Sequence, residues 1–255
     1  MNFIVTANTD IGIVKSTNQD SLTAMILNTP QGRMAFCVLC DGMGGLQKGE
    51  VASAAVIAAF RNWATNELPK LCDRPLEDAV IRSQWEGIVQ QQNVAIKEYG
   101  DQHGVQLGTT AVIMLLTQTR YYILNVGDSR AYELTTDIRQ ITNDQTLVAR
   151  EIAMGHMTPE EAETDSRRNV LLQCVGVLDS VDPEMFFGDV AQNAVYMLCS
   201  DGFRHEISSE EIYNSLKPDI LVDAAVMQKN AIGLIELNKQ REERDNISVA
   251  LVKTF

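Results

Sequence analysis

The pentad Asp41-Gly42-Met43-Gly44-Gly45 follows directly on the apolar run Met34 to Cys40. Such a run reads as a buried strand, and the glycines force the chain to turn sharply where it ends. They allow backbone conformations closed to residues with a Cβ, and a carboxylate, a hard oxygen ligand, stands at the entrance of the turn. A lone Asp-Gly is only a turn. What the pentad dictates depends on whether other carboxylates join it.

Three more aspartates occupy comparable positions. Asp128 follows Tyr121 to Gly127, Asp201 follows Ala194 to Ser200, and Asp245 precedes Ile247 to Val252, each beside Ser, Gly or Asn. In an antiparallel sheet the start of one strand lies beside the end of its neighbour, so this polarity predicts all four carboxylates at one rim. Taken singly, each is equally readable as a turn or cap residue, and Asp128-Ser129 as a hairpin turn.

Strands are predicted at Phe3 to Asn8, Leu22 to Asn28, Met34 to Cys40, Ala111 to Thr117, Arg120 to Val126, Arg130 to Leu134, Arg139 to Thr142, Met185 to Asp189, Val195 to Cys199 and Ile247 to Val252. Alanine-rich Val51 to Phe60, Leu76 to Tyr99 after Pro75 and before Gly100, and Ile220 to Lys239 read as helices. From Asn143 to Asn169 the chain turns polar and short-helical, with Thr158-Pro159-Glu160-Glu161 matching a capped helix start, and reads as an excursion over a sheet. Strands and helices come in blocks, which makes the class α+β, with antiparallel sheets flanked by helices and residues 1–255 as one domain.

A chain of 255 residues, 45% hydrophobic and 22% charged, has ample material for a core. Its formal net charge of −13 and lack of a compact Lys/Arg patch argue against nucleic acid and anionic membranes as partners. No apolar stretch approaches a membrane span and Met1 to Asp10 does not resemble a secretory signal, so a cytoplasmic location is expected. Cys37, Cys40, Cys72, Cys174 and Cys199 are odd in number and scattered, as reduced thiols are; Cys37-x-x-Cys40 lies inside a strand-like run and reads as two buried thiols.

Six ordered motifs carry a resemblance across essentially the whole chain. They are Gly12-Ile13-Val14-Lys15-Ser16-Thr17-Asn18-Gln19-Asp20, the Asp41 pentad, Gly108-Thr109-Thr110, Val126-Gly127-Asp128-Ser129-Arg130, Ser200-Asp201-Gly202 and Asp245-Asn246. In these the chain resembles the bacterial members of the PP2C family of metal-dependent protein phosphatases. The resemblance implies an α-β-β-α sandwich of two antiparallel sheets flanked by helices, with two Mn²⁺ or Mg²⁺ ions at one end. It also implies hydrolysis of phosphoserine and phosphothreonine in proteins, by a hydroxide that bridges the ions and attacks phosphorus in line.

By the same resemblance Asp41 bridges both ions, Gly42 offers a carbonyl, Asp201 and Asp245 complete one ion, and Asp20 holds metal-bound water. Asp128 corresponds to a third, weaker ion site. Lys15 stands where relatives have a phosphate-binding arginine, keeping the charge without the two-pronged donor. Met43 replaces a histidine proposed as an acid in eukaryotic members, and Gln19 stands where many relatives carry a carboxylate. His103, His156 and His205 lie outside the motifs and read as surface histidines, Gly108-Thr109-Thr110 as support for the turn, Arg130 as a structural ion-pair partner. Residues 143–169 correspond to a flap.

Phosphorylated proteins, including a Ser/Thr kinase or its targets, are the implied partners of a monomer. A catalytically weak phosphoprotein-binding regulatory module of the same fold is the alternative. A nuclease-like phosphodiesterase is disfavoured by the missing basic surface and the scarcity of histidines.

Overall fold

The computed structural model describes residues 1–43 and 48–255; Gly44 and Gly45 of the pentad lie outside them. Among the described residues the chain forms β1 (Phe3–Asp10), β2 (Ser21–Thr29), β3 (Gly32–Cys40), α1 (Gly49–Asn66), the single-turn α2 (Leu68–Leu71) and α3 (Asp78–His103). It continues with β4 (Ala111–Leu116), β5 (Arg120–Val126), β6 (Arg130–Leu134), β7 (Ile138–Gln140), α4 (Leu147–Ala153), α5 (Pro159–Thr164), β8 (Glu184–Asp189) and β9 (Val195–Cys199). After a 3-10 turn at Asp201–Phe203 come α6 (Ser209–Leu216), α7 (Ala224–Gln240) and β10 (Ile247–Thr254).

The strands make two five-stranded antiparallel sheets, ordered β1-β10-β9-β6-β7 and β2-β3-β4-β5-β8. Side chains alternate across a strand, and β3 shows what that does here. Its Met34, Phe36, Val38 and Cys40 face the layer of Phe60, Trp63, Trp85 and Val89 from α1 and α3. Its Ala35, Cys37 and Leu39 face the other sheet, against Tyr196, Leu198, Ala250 and Val252. Burial on both faces is why the run from Met34 is apolar without interruption, unlike the alternating pattern of a sheet with one wet face. The second sheet is covered on its far side by α6 and α7 through Ile212, Leu216, Met227, Leu234 and Ile235. The four layers are the helix-sheet-sheet-helix sandwich the sequence motifs imply.

Several boundaries differ from the sequence reading. Helix α3 runs through Gly100 to His103 and ends at Gly104, whose φ of 64° is left-handed. Gly100 has a different job: a Cβ there would come within 2.6 Å of the Val105 carbonyl oxygen. The last helix starts at Ala224, capped by the Asp223 side chain, because Ile220 belongs to a 3-10 turn begun by Pro218. Helix α6 was not anticipated, although Ser208 and Glu211 form a full capping box at its start. The predicted capping box at Thr158 and Glu161 is present. All five cysteines are free and buried. Among the described residues no helix is long and apolar enough to cross a membrane.

An aromatic cluster packs under the sheet, with the fully buried Trp85 ring 5.4 Å from Trp63, 6.0 Å from Phe60 and 6.2 Å from Phe36. Trp85→Ala is expected to lower unfolding free energy by about 3–5 kcal/mol, read from the denaturant midpoint. A loss under about 1 kcal/mol would contradict this packing.

Candidate metal centre

Strand register decides where the aspartates go. Cys40 at the end of β3 pairs with Ser21 at the start of β2, Val126 at the end of β5 with Ala111, and Cys199 at the end of β9 with both Arg130 and Val249. Strand β1 ends with Asp10 opposite Ile247. Asp20, Asp41, Asp128, Asp201 and Asp245 therefore all leave or enter strands at one edge of the sandwich.

Asp41 is held there by its backbone. Its N–H donates to Thr110 Oγ1 at 3.0 Å, and its carbonyl accepts from Thr110 N–H and Thr109 Oγ1, each at 2.9 Å. Thr110 Oγ1 is itself 2.8 Å from Ser129 Oγ, so the Gly108-Thr109-Thr110 segment anchors the turn, as its motif suggests. Gly42 donates to the Gln19 carbonyl at 3.1 Å, and a Cβ at Gly42 would lie 2.5 Å from that oxygen. Only glycine permits this approach. Gln19 Nε2 in turn reaches Glu50 Oε2 at 3.4 Å. A carboxylate at position 19 would repel Glu50, which gives the glutamine a reason to stand there.

Crowding of like charge sets the electrostatics. Burial, then Asp20, Asp201, Asp128 and Asp245, push the Asp41 carboxyl well above the usual carboxylate range. Asp20 is raised to about 7, mainly by burial, with Asp201 and Asp245 adding to the rise and the nearby Ser248 and Ser200 hydroxyls opposing it. Asp128 is likewise raised to about 7 by burial and Asp201, with Arg204 opposing. Both carboxylate oxygens of Asp20, and Oδ1 of Asp201, are buried without a hydrogen-bond partner. Native interiors rarely leave such atoms orphaned unless something else binds them.

The cations nearby are few. Lys15 Nζ lies 2.8 Å from Asp245 Oδ1. Burial pulls its pKa down, but Asp245, Asp41 and Asp201 outweigh burial and leave it raised. Its loop is clamped by Asn246, whose Nδ2 donates to the Ile11 and Thr17 carbonyls and whose Oδ1 accepts from Gln19 N–H. On the other side Arg130 makes a two-pronged pair with Asp144 at 2.8 and 2.6 Å, the structural role read for it.

His205 departs from its reading as a surface histidine. Its Nε2 is 3.7 Å from Asp201 Oδ2 and its Nδ1 3.5 Å from Glu243 Oε2. Burial lowers its pKa, yet Glu243 and Asp201 outweigh it and leave it raised. Glu243 also accepts the backbone N–H of Asp245 at 2.8 Å, so this imidazole ties the Asp201 turn to the Asp245 loop. His103 and His156 are exposed, as expected.

Among the described residues no three His, Cys, Asp or Glu side chains gather tightly enough to enclose an ion unaided. The donor set instead suits hard cations that keep much of their water and take one or two carboxylates each. The orphaned oxygens of Asp20 and Asp201 and the repulsion around Asp41 fit such ions.

Residues 143–169 form the expected short-helical excursion through α4 and α5. Its root is fixed beside Asp128, with Gly127 N–H donating to Gln145 Oε1 at 2.8 Å and the Asn143 carbonyl accepting from Asn125 Nδ2 at 3.1 Å. A cleft of about 1430 Å³ separates it from Asp128, Arg204 and His205. Arg167 is occupied by Asp165 and Arg168 by the Glu163 carbonyl, both at the surface.

A sandwich of this kind with aspartates along one rim defines a class. The family model for protein phosphatase 2C matches residues 13–225, and the chain belongs to that family. It is 31% identical over 252 residues to the serine/threonine protein phosphatase PstP of Mycobacterium tuberculosis, matching 96% of this chain but 44% of that protein, so it spans under half that relative's length. Serine/threonine phosphatase stp of Listeria innocua is 30% identical over 250 residues, covering 96% of this chain and 93% of that one. Among solved structures, Stp1 of Staphylococcus aureus superposes with a TM-score of 0.84 at 27% identity over 100% of this chain and 96% of that chain. The PstP catalytic domain in complex with two manganese ions superposes at 0.79 with 30% identity, covering 98% and 97%.

Raised carboxyl pKa values have a definite sign. Between about pH 4 and 7 the ion-free folded protein keeps protons on Asp20 and Asp128 that the unfolded chain has released, so stability falls as pH rises through that window. Thermal melts of chelator-treated protein are expected to show this decline, Asp20→Asn to flatten it, and Mn²⁺ at neutral pH to raise the melting temperature. A melting temperature that climbs from pH 4 to 7 without metal would contradict the crowded rim.

Proposed function

We propose that this chain is a metal-dependent phosphatase of phosphoserine and phosphothreonine in proteins. The observation that carries the reading is the set of carboxylates crowded around Asp41 at one rim, two of them, Asp20 and Asp201, with orphaned oxygens, beside the Lys15 ammonium. Asp41 and the Gly42 carbonyl, with Asp201 and Asp245, would hold two ions, Asp20 would orient water, and any third ion would fall to Asp128 with Asp201. Two Mn²⁺ or Mg²⁺ ions would supply Lewis acidity there, activating water for in-line attack and offsetting charge on the phosphoryl oxygens. The manganese pair in the PstP structure supports the choice of metal.

The chain's own groups favour direct attack by water. A covalent route needs an activated nucleophile, and burial pushes the thiols of Cys37 and Cys199 up to about 12 and that of Cys40 well above its ordinary value. Lys15 is placed to meet a phosphate oxygen, since phosphoryl transfer depends chiefly on positioning and charge neutralisation. The 143–169 excursion beside Asp128 is where substrate choice would be set. The net charge of −13 suits phosphoprotein partners, including a Ser/Thr kinase or its targets, better than nucleic acid or membrane. We place the activity in one domain of residues 1–255, acting as a cytoplasmic monomer.

Phosphate release from a phosphothreonine peptide tests this reading. Activity is expected with Mn²⁺, to vanish with chelator, and to drop by roughly 100-fold or more in Asp201→Asn, since even groups supporting a metal ligand cost about 10–100-fold when changed. Equal and chelator-insensitive rates would favour a phosphoprotein-binding module instead. Lys15→Arg is expected to lower KM by restoring a two-pronged donor, and an unchanged or higher KM would remove Lys15 from the phosphate site.

A further inference from the structure

A second cation, Arg204, stands between the carboxylates of Asp128 and Asp144. Arg204 follows the 3-10 turn that begins at Asp201, and its backbone N–H donates to the Asp201 carbonyl at 2.9 Å. Its side chain then folds back toward β5. Nη2 donates to the Asp128 carbonyl oxygen at 3.2 Å and lies 4.0 Å from Asp128 Oδ2 and 3.7 Å from Asp144 Oδ2. Asp144 is already engaged by both prongs of Arg130. The Arg204 charge is therefore shared between Asp128 and an Asp144 that already has a cation, and its Nε is buried with no hydrogen-bond partner.

The two cations at this rim differ in kind. Lys15 is a single ammonium on a flexible stem with 28% of its side chain exposed, whereas the Arg204 side chain is 14% exposed and bonded to the Asp128 carbonyl. A guanidinium does not lose its charge at any accessible pH, and it cannot swing away from Asp128 without abandoning the Asp128 carbonyl. Resting on the reading of Asp128 and Asp201 as a third ion site, we propose that Arg204 is the built-in cation of that site. It supplies fixed positive charge beside Asp128 in place of a third metal ion and limits the centre to two.

A divalent ion shared by Asp128 and Asp201 would stand within a few ångströms of a fixed positive charge in a poorly hydrated place, where like charges repel strongly. The two ions proposed for Asp41, Asp201 and Asp245 would lie on the other side, away from Arg204. Arg204 is thus a positioning residue that sets ion stoichiometry and holds the flap root, through Asp144, against Asp128.

Equilibrium dialysis against Mn²⁺ tests this without reference to turnover. Wild type is expected to retain two ions. Arg204→Gln, and Arg204→Met, which keeps the apolar stem, are expected to take up a third, bound roughly 10-fold or more tighter than any third ion in wild type. Adding Asp128→Asn to either variant should return the count to two. A third ion in wild type that Asp128→Asn abolishes would overturn the inference, as would two ions in both Arg204 variants. No ion in any of these proteins would instead overturn the metal-centre reading, and the inference with it.

Discussion

Carboxylates packed within reach of one another in a poorly hydrated place cannot all remain ionised unless cations join them, and the rim of this sandwich is organised around that constraint. Burial, and then the charges of neighbouring aspartates that include Asp201, raise the proton affinity of Asp20, Asp41 and Asp128. Among the described residues, Lys15 stands at Asp245, Arg204 at Asp128, and the His205 imidazole between Asp201 and Glu243. They leave both oxygens of Asp20 and Oδ1 of Asp201 without a hydrogen-bond partner. The energetic debt at that spot is what a metal pair would settle, since a multivalent cation inverts the local electrostatics.

Such a cluster would disperse if its supports were soft. Antiparallel pairing fixes the strand ends to one another, and each strand end is backed by a core layer on one or both faces. The remaining freedom lies in the turns, and it is removed by specific groups. Thr109 and Thr110 hold the backbone of Asp41, the Gln19 carbonyl presses on Gly42, and Asn246 binds three backbone groups of the Lys15 loop. Preorganisation of this kind keeps carboxylates that would otherwise separate at a shared location.

Much of this was readable in the sequence, for local reasons. The strands at Met34, Arg120, Arg130 and Val195 announce themselves by apolar content and the turn residues that bound them, and the aspartates at their ends inherit their location from strand polarity. What escaped depends on neighbours distant in sequence. Gly100 looks like a helix stop until the approach of Val105 and Leu107 is known, while Gly104 does the stopping. Helix α6 is short, and its capping box at Ser208 was the one local mark of it. His205 is four residues from Asp201 and Glu243 two before Asp245, a spacing that hints at proximity, but their pairing exists only because β9 and β10 are adjacent. Glu50 and Arg204 likewise gain their roles from the partners the fold brings, Gln19 and Asp128.

The central claim is that the rim is a binuclear metal centre built on Asp41. Anomalous diffraction from a crystal grown with Mn²⁺ examines it most directly. Two manganese peaks, one within coordinating distance of Asp41, Asp201 and Asp245 and the other of Asp41 and the Gly42 carbonyl, are the predicted result. Peaks elsewhere on the molecule, or an Asp41 carboxylate with no metal beside it at saturating Mn²⁺, would contradict it.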